Sequence, residues 1–298
     1  MKDTKAETIV LGGGLAGLSS AYYLDGNCTV LEAAKVPGGL CRSFHKDGFT
    51  YDIGGHILFS KNNSILNEII GWLGSNVHQK TRKNEILYKG KYVKYPFENG
   101  LSVLDKDELY ECLITFLNRS ETESANLEEW CYSRFGEGIA SKYLIPYNCK
   151  IWKRDPKLMS THWVERVPSP PLEDIIKSAI GIETEGYTHQ LNFFYPKKGG
   201  IEAMIQSLVK YVPGLKTGFR VQEINKNGKE WKISDDSEIL FCNRVISTIP
   251  IFNLINSLQG VPLKVKDSLS KLHYNSLILV MVGVKHEGLT KKTALYIP

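Results

Sequence analysis

The sequence predicts an α/β protein in which a Rossmann-like domain is split by an inserted helical subdomain and accompanied by a second, substrate-side β-sheet. Three observations carry this expectation. First, Ile9-Val10-Leu11 runs into Gly12-Gly13-Gly14-Leu15-Ala16-Gly17, a GxGxxG. It is followed by an apolar helical stretch and a second strand, Thr29-Val30-Leu31, ending in Glu32. Second, residues 100–180 read as helices between strand-rich flanks. Third, a hairpin-like stretch, Phe219–Ser234, and a late strand, Val245-Ile246-Ser247, return the chain to strands after the helical block.

In the opening βαβ unit each residue type has a physical task. Gly12 makes the tight turn, Gly14 lets the backbone approach a pyrophosphate, and Gly17 lets helix and strand pack closely. A pyrophosphate is expected on the positive end of the helix that begins at Leu15 and Ala16, with Glu32 accepting hydrogen bonds from a ribose diol. Gly38-Gly39-Leu40 comes next, then a short strand, Phe49-Thr50-Tyr51. Asn62–Leu73 carries Ile65, Leu66, Ile69, Ile70 and Leu73 at helical spacing. Ile86-Leu87-Tyr88 and Tyr92-Val93-Lys94-Tyr95 flank a Gly90 turn.

Asp105–Leu117 reads as a helix with Asp105 at the N-cap and Glu108 completing a capping box. Helices are expected to continue through Leu127–Phe135 and Gly138–Leu144 until Val167-Pro168-Ser169-Pro170-Pro171 interrupts them. Pro171 suits the first turn of a further helix, which needs no proline N–H. A strand at Leu191–Tyr195, a Gly199-Gly200 turn and a helix at Ile201–Tyr211 follow. The longest apolar run, Leu277–Val284, is too short for a bilayer and reads as a buried strand.

Bulk properties narrow the function classes. A chain of 298 residues, 42% hydrophobic and 23% charged, is a soluble globular type with core enough for two subdomains. Its net charge of +5 is mild and its Lys and Arg are scattered, which argues against a nucleic-acid partner and suits a small anionic ligand. Met1–Glu7 is short and polar, so no secretory leader is expected. The six cysteines (Cys28, Cys41, Cys112, Cys131, Cys149 and Cys242) form no CxxC and have no His at metal spacing. They are expected to be reduced core thiols of a cytoplasmic protein, with no metal site.

The glycine fingerprint alone does not choose between NAD and FAD. The stretch Glu32-Ala33-Ala34-Lys35-Val36-Pro37-Gly38-Gly39-Leu40-Cys41-Arg42-Ser43, followed by Asp52-Ile53-Gly54-Gly55-His56, resembles the amine-oxidase-like flavoprotein superfamily. FAD is long, and glycines in successive loops let backbone amides contact it without side-chain interference. The resemblance implies a GR2-type FAD-binding domain. The second glycine pair would line the pyrophosphate and ribityl, and the Asp-x-Gly-Gly element would lie along the isoalloxazine. The implied cofactor contacts are Gly12, Gly14, Leu15, Ala16, Gly17, Glu32, Ala33, Gly38, Gly39, Leu40, Gly54, Gly55 and His56, with Val221 and Ser247 at the adenine end.

Further segments resemble the UDP-galactopyranose mutase family, especially its eukaryotic-type branch. They are Tyr51–Ser60, Tyr95-Pro96-Phe97-Glu98-Asn99, Pro146-Tyr147-Asn148-Cys149-Lys150-Ile151-Trp152, Glu165-Arg166-Val167 and Phe194–Gly200, in order along the chain. The family converts a nucleotide sugar between pyranose and furanose without net redox change, through a sugar adduct at N5 of reduced FAD. The resemblance implies His56 beside the flavin, tuning N5; its alternative is a satisfied structural histidine. Arg166 is the expected diphosphate- or sugar-facing cation, its alternative being an ordinary ion pair. His56 and Arg166 are thus the expected catalytic pair.

Tyr95, Phe97, Asn148 and Trp152 are expected walls of the nucleotide–sugar pocket, although Tyr95 and Phe97 taken alone read as core aromatics. Two positions depart from the family pattern. Its glutamine after Tyr-Pro-Phe is Glu98, and a substrate-loop asparagine is Gln190. A carboxylate at Glu98 facing inward would repel a nucleotide diphosphate, so a different nucleotide or sugar is an open expectation. The implied partners are a UDP-galactose-like substrate and NAD(P)H or another reductant.

The expected organisation has an FAD-binding domain in two parts, 1–84 and 199–256. A substrate-sheet hairpin at 85–99, a helical substrate subdomain at 100–185, a sheet strand at 186–198 and an incomplete sheet segment at 257–298 make up the rest. Two other readings stand beside the mutase: an FAD-dependent oxidoreductase of the amine oxidase or protoporphyrinogen oxidase type, and an inactive FAD-binding protein. Family members run well past Ile297-Pro298, so a truncated product or fragment with exposed apolar strand edges and weak FAD binding is expected.

Overall fold

The computed structural model describes residues 4–185, 191–286 and 288–298. The fold is α/β, and the chain forms two compact units: Met1–Gln79 with Phe194–Gly283, and Lys80–Phe193 with Val284–Pro298.

The first unit is built on a six-stranded sheet with Thr4–Leu11 near its centre. Thr29–Glu32 and Ile239–Ser247 pair parallel on either side of it, and Leu215–Thr217 extends the parallel part beyond Thr29–Glu32. The antiparallel hairpin Glu223–Asn227/Glu230–Ser234 completes the other edge. A central parallel strand is covered on both faces, so it reads as a continuous apolar run. Ile9-Val10-Leu11 is such a run, and strand alternation divides it between two core layers. Ile9 and Leu11 pack with Leu31, Phe219, Ile224 and Ile233. Val10 packs with Leu18, Ala21, Val30, Ile205 and Leu208. The helices Leu15–Tyr23 and Glu202–Val209 supply much of the second layer, through Leu18 and Ala21 and through Met204, Ile205 and Leu208. The helix Asn63–Leu73 begins where expected, its Asn62 side chain accepting from the amides of Ser64 and Ile65.

The second unit combines a three-stranded sheet, ordered Ala294–Tyr296, Asn84–Tyr88, Lys91–Lys94, with helices at Lys106–Leu117, Leu127–Ile139, Ile145–Trp152 and Leu172–Ala179. A π-helical turn, Ala140–Leu144, joins the second helix to the third. Ile86, Val93, Phe97, Leu101, Phe116, Phe135, Ile139 and Ile175 lie in one buried core. Pro171 is the N-cap, one residue before the helix it was expected to open.

Three local expectations are corrected. The capping box at Asp105 does not form, because both carboxylates are drawn to lysines of the neighbouring hairpin. Asp105 pairs with Lys91 at 2.6 Å and Glu108 with Lys89 at 2.7 Å, with the Tyr88 hydroxyl also donating to Glu108. Leu277–Val284 is not a buried strand. Among the described residues no ladder includes it, and Ile278 is 87% exposed. An apolar run becomes a strand only when a neighbour satisfies its backbone, and periodicity does not reveal whether one exists. The cysteines are free, but Cys149 is exposed and Cys41 only half-buried; the other four are buried thiols. Burial pushes Cys112 and Cys131 up to about 12, which makes both inert at neutral pH.

Candidate cofactor and ligand sites

Every expected cofactor residue lies in the first unit, and every described substrate residue in the second. The glycine loop is held from behind by Glu32. Its carboxylate accepts from the Gly13 amide at 2.7 Å and from the Ala34 amide at 2.8 Å, so it braces the loop before it meets any ligand. Four lone-pair sites on a carboxylate leave acceptor capacity for a ribose hydroxyl as well. A Cβ on Gly17 would stand 1.8 Å from the Gly12 carbonyl oxygen, and one on Gly13 would stand 2.8 Å from the Glu32 Cβ. These two glycines are dictated by packing.

Gly14 and Gly55 are different. A Cβ on Gly14 would meet only the Gly39 Cα at 3.8 Å, and one on Gly55 would meet nothing within 4 Å. Both have ordinary backbone angles, since neither is among the positive-φ glycines. Protein packing therefore does not explain their lack of side chains, whereas close approach of a ligand does. Gly14 is also the N-cap of Leu15–Tyr23 with no side-chain cap, leaving the first-turn amides at Leu15, Ala16 and Gly17 for an anion. Gly38 donates to the Gly13 carbonyl at 2.7 Å, and the Gly14–Gly38 bridge holds Gly39 against the loop. Leu40 projects outward and is exposed. These features fit the pyrophosphate of a dinucleotide cofactor.

At the sheet edge, Ala33 and Val221 line a cavity of about 220 Å³ together with Phe219, Ile249 and Asn253. It is suited to a flat heteroaromatic ring. Ser247 does not line it; it is exposed at the end of its strand, in register with Leu11. Thr248 holds that strand to the loop, donating to the Leu11 carbonyl at 2.8 Å.

Asp52 ties the segment before Gly54-Gly55-His56 to three other elements. It accepts from the Ser43 hydroxyl at 2.6 Å, from the Ile201 amide at 3.1 Å and from the Tyr195 hydroxyl. The Ser43 amide donates to Glu202 at 2.8 Å, and the Glu202 amide returns a bond to the Ser43 hydroxyl at 3.1 Å. Burial, then the bond to Asp52, raises Tyr195 above the usual phenol range and keeps it a donor. Such a network fixes a loop more firmly than isolated bonds do. Within that loop His56 has a buried Nδ1 with no hydrogen-bond partner among the described residues. A buried ring nitrogen left open beside unfilled glycine space is what a flavin edge would complete.

In the second unit a cavity of about 120 Å³ gathers Tyr95, Glu98, Tyr143, Tyr147, Asn148, Trp163 and Arg166. The π turn places Tyr143 and Leu144 on its wall, and Tyr147 follows one turn later, stacked on Tyr143 at 5.2 Å. Asn148 is fixed by donating to the Leu144 carbonyl at 2.8 Å and accepting from Trp152 Nε1 at 3.2 Å. Arg166 is exposed, and its guanidinium makes no hydrogen bond or ion pair among the described residues. Glu98 is 1% exposed, and burial pushes its carboxyl up to about 8 against the opposing bond from its own backbone amide. Burial thus disfavours the charged form on which the expected repulsion of a diphosphate depends. At neutral pH the group is mostly an uncharged acid.

Two expected walls lie elsewhere. Phe97 is fully buried behind the cavity, stacked on Tyr143 at 5.3 Å, and is a core residue. Trp152 is half-exposed and does not line the cavity; it supports Asn148. Gln190 lies outside the described residues. Sequence reasoning missed Gly13, the Asp52 network, Tyr143 and Trp163. Of these only Tyr143 had a signal, its i,i+4 spacing with Tyr147.

Among the described residues there is no group of His, Cys, Asp and Glu that could hold a metal, and no helix long and apolar enough to cross a membrane. The sequence profile of the family described as "Flavin containing amine oxidoreductase" matches residues 15–292. A crystal structure of reduced UDP-galactopyranose mutase superposes with a TM-score of 0.79 at 32% identity, covering 88% of this chain and 59% of that one. Chloroplastic prolycopene isomerase of Arabidopsis thaliana is 29% identical over 194 residues, 52% of this chain and 31% of its own. Coproporphyrinogen III oxidase of Staphylococcus aureus is 34% identical over 99 residues, 30% of this chain and 21% of its own. The chain thus spans less than two thirds of each of these proteins.

Proposed function

The chain belongs to the flavin containing amine oxidoreductase family, and from that premise we propose that it serves a UDP-galactopyranose mutase-like reaction. In this reading a nucleotide sugar of UDP-galactose type is interconverted between pyranose and furanose forms. The observation that carries it is the cavity in the second unit, aromatic on its walls and flanked by a guanidinium with no ion pair among the described residues. Tyrosine rings suit the flat faces of a base or sugar, and a free guanidinium suits phosphate oxygens. The ordered likeness to the mutase, at 32% identity over 88% of the chain, supports it.

In this proposal Gly12, Gly14, Gly17, Gly38 and Gly39 hold the cofactor pyrophosphate through backbone amides, and Glu32 fixes the loop and meets the ribose. Gly54, Gly55 and His56, in the segment that the Asp52 network fixes, would hold the flavin ring. Reduced FAD held by these residues would supply nucleophilic nitrogen chemistry. His56 orients to that ring through the Nδ1 that the protein leaves open. Arg166 holds the diphosphate as it separates from the sugar, where a fixed cation stabilises the charge that develops. Tyr147 and Asn148 position the sugar and base by stacking and amide hydrogen bonds.

A second reading is oxidation of a carbon or amine substrate, favoured by the likeness to coproporphyrinogen III oxidase. One assay separates them. Dithionite-reduced protein with bound FAD is incubated with UDP-galactofuranose and the products are chromatographed. UDP-galactopyranose is the expected product. Flavin-replete protein that yields none would remove the mutase reading.

A further inference from the structure

We propose that Glu98 reads the ligand in the second-unit cavity as an uncharged carboxylic acid, so that ligand binding there is linked to one proton. The inference rests on the nucleotide-sugar reading above and deepens it. Glu98 is nearly sealed from solvent, lines the cavity, and has only its own backbone amide as a hydrogen-bond donor among the described residues. Arg166 lines the same cavity and has no ion pair among the described residues, so the two side chains do not pair with each other. A buried acid and a guanidinium that share a cavity without pairing leave room for a ligand that satisfies both. Its anion goes to Arg166, and its buried end meets Glu98.

The charged and titratable groups around Glu98 all leave it neutral. Tyr95, Tyr143 and Tyr147 line the cavity with it, Tyr296 packs on Tyr95 and Tyr147, and burial holds Tyr143 above the usual phenol range and pushes Tyr147 up to about 12. Lys94 is engaged elsewhere, donating to the Thr184 carbonyl at 2.6 Å. On the packed helix Leu172–Ala179, Glu173 and Lys177 pair with each other, and Asp174 adds only negative charge. Arg166, which lines the cavity, is exposed, and burial favours the protonated acid.

A protonated carboxyl presents a donor beside an acceptor. That pattern matches an amide-like edge, an N–H beside a C=O, such as a uracil ring carries. The ionised form would set an oxyanion against the ligand carbonyl. An amide at the same position makes both bonds at any pH, so Glu98 trades constant affinity for a proton-dependent one.

The test uses UDP as the probe and titration calorimetry from pH 7 to 9.5 on wild type and Glu98→Gln. Wild-type Kd is expected to rise about tenfold per pH unit above pH ~8, with about one proton taken up on binding in that range, while the Gln variant stays flat. Titration of UDP itself is common to both proteins and cancels in the comparison. An infrared difference spectrum of wild type should also show a protonated carboxyl stretch at pH 7, which needs no variant. UDP binding with the same pH profile in both proteins, or absence of that stretch, overturns the inference alone. No UDP binding to wild type at pH 7 overturns the nucleotide reading, and the inference with it.

Discussion

The glycine loop of the first unit and the Glu98 cavity of the second are candidate binding surfaces built in opposite ways. The loop offers backbone amides and removes side chains: Gly13 and Gly17 because the protein fills their space, Gly14 because it does not, as at Gly55 in the later glycine pair. The cavity is made of side chains, several buried, and its chemistry depends on how burial changes them. A surface of amides is insensitive to pH and tolerant of sequence away from the glycines. A surface of buried polar groups is sensitive to both.

The largest effect should come from filling packed glycine space. Gly17→Val drives side-chain atoms into the Gly12 carbonyl and should cost about 3 kcal/mol or more, read by urea melts. A loss well below that would mean the loop yields more easily than its contacts imply. On the cavity side, Glu98→Gln should act in the opposite direction.

The Glu98 carboxyl is raised from its ordinary 4.5 to about 8 in the folded protein. The folded state therefore holds a proton that the unfolded chain has released. The stability this brings is complete below pH ~4.5, erodes as pH rises, and is gone above pH ~8. A non-titrating amide avoids that loss, so the variant should be more stable at pH 7 by about 3 kcal/mol, and the two proteins should converge toward acid pH. Parallel stability–pH curves would show that Glu98 is ionised.

Asp52→Ala should cost about 2 kcal/mol, by leaving the Ser43 and Tyr195 hydroxyls and the Ile201 amide without their acceptor. A cycle with Tyr195→Phe should show strong coupling between the two sites, since they share one bond. The smallest stability effect belongs to Gly55→Ala, within about 0.5 kcal/mol, because nothing in the protein meets the added methyl. Its flavin-to-protein absorbance ratio should nonetheless fall. Unchanged flavin content would mean the space at Gly55 is not kept for a cofactor.

The same contrast explains what the sequence made legible. The βαβ start and the Glu32 acid are local patterns whose spacing is set by two strands and one helix, and the adjacent Gly54-Gly55 is a dipeptide signal, so all could be read directly. The Asp52 network joins residues 43, 52, 195, 201 and 202, and no local pattern links them. The cavity failed differently. Phe97 and Trp152 share motifs with true wall residues, and one rotation of a short turn or helix decides which aromatic faces inward. Leu277–Val284 shows the limit for strands: its apolarity was legible, but whether a neighbour pairs with it was not.

By itself, then, the sequence determined the α/β class, the nucleotide-binding start and the positions where backbone must stand bare. Those depend on residue type and short spacing, through sterics and the periods of helix and strand. Only the tertiary structure decided that Glu98 is sealed away, with burial favouring its uncharged form, that Arg166 has no ion pair among the described residues, and that Phe97 belongs to the core. Burial and charge pairing are properties of surroundings drawn from distant parts of the chain. A residue's type fixes what it can do in water, and its neighbours decide which of those states survives folding.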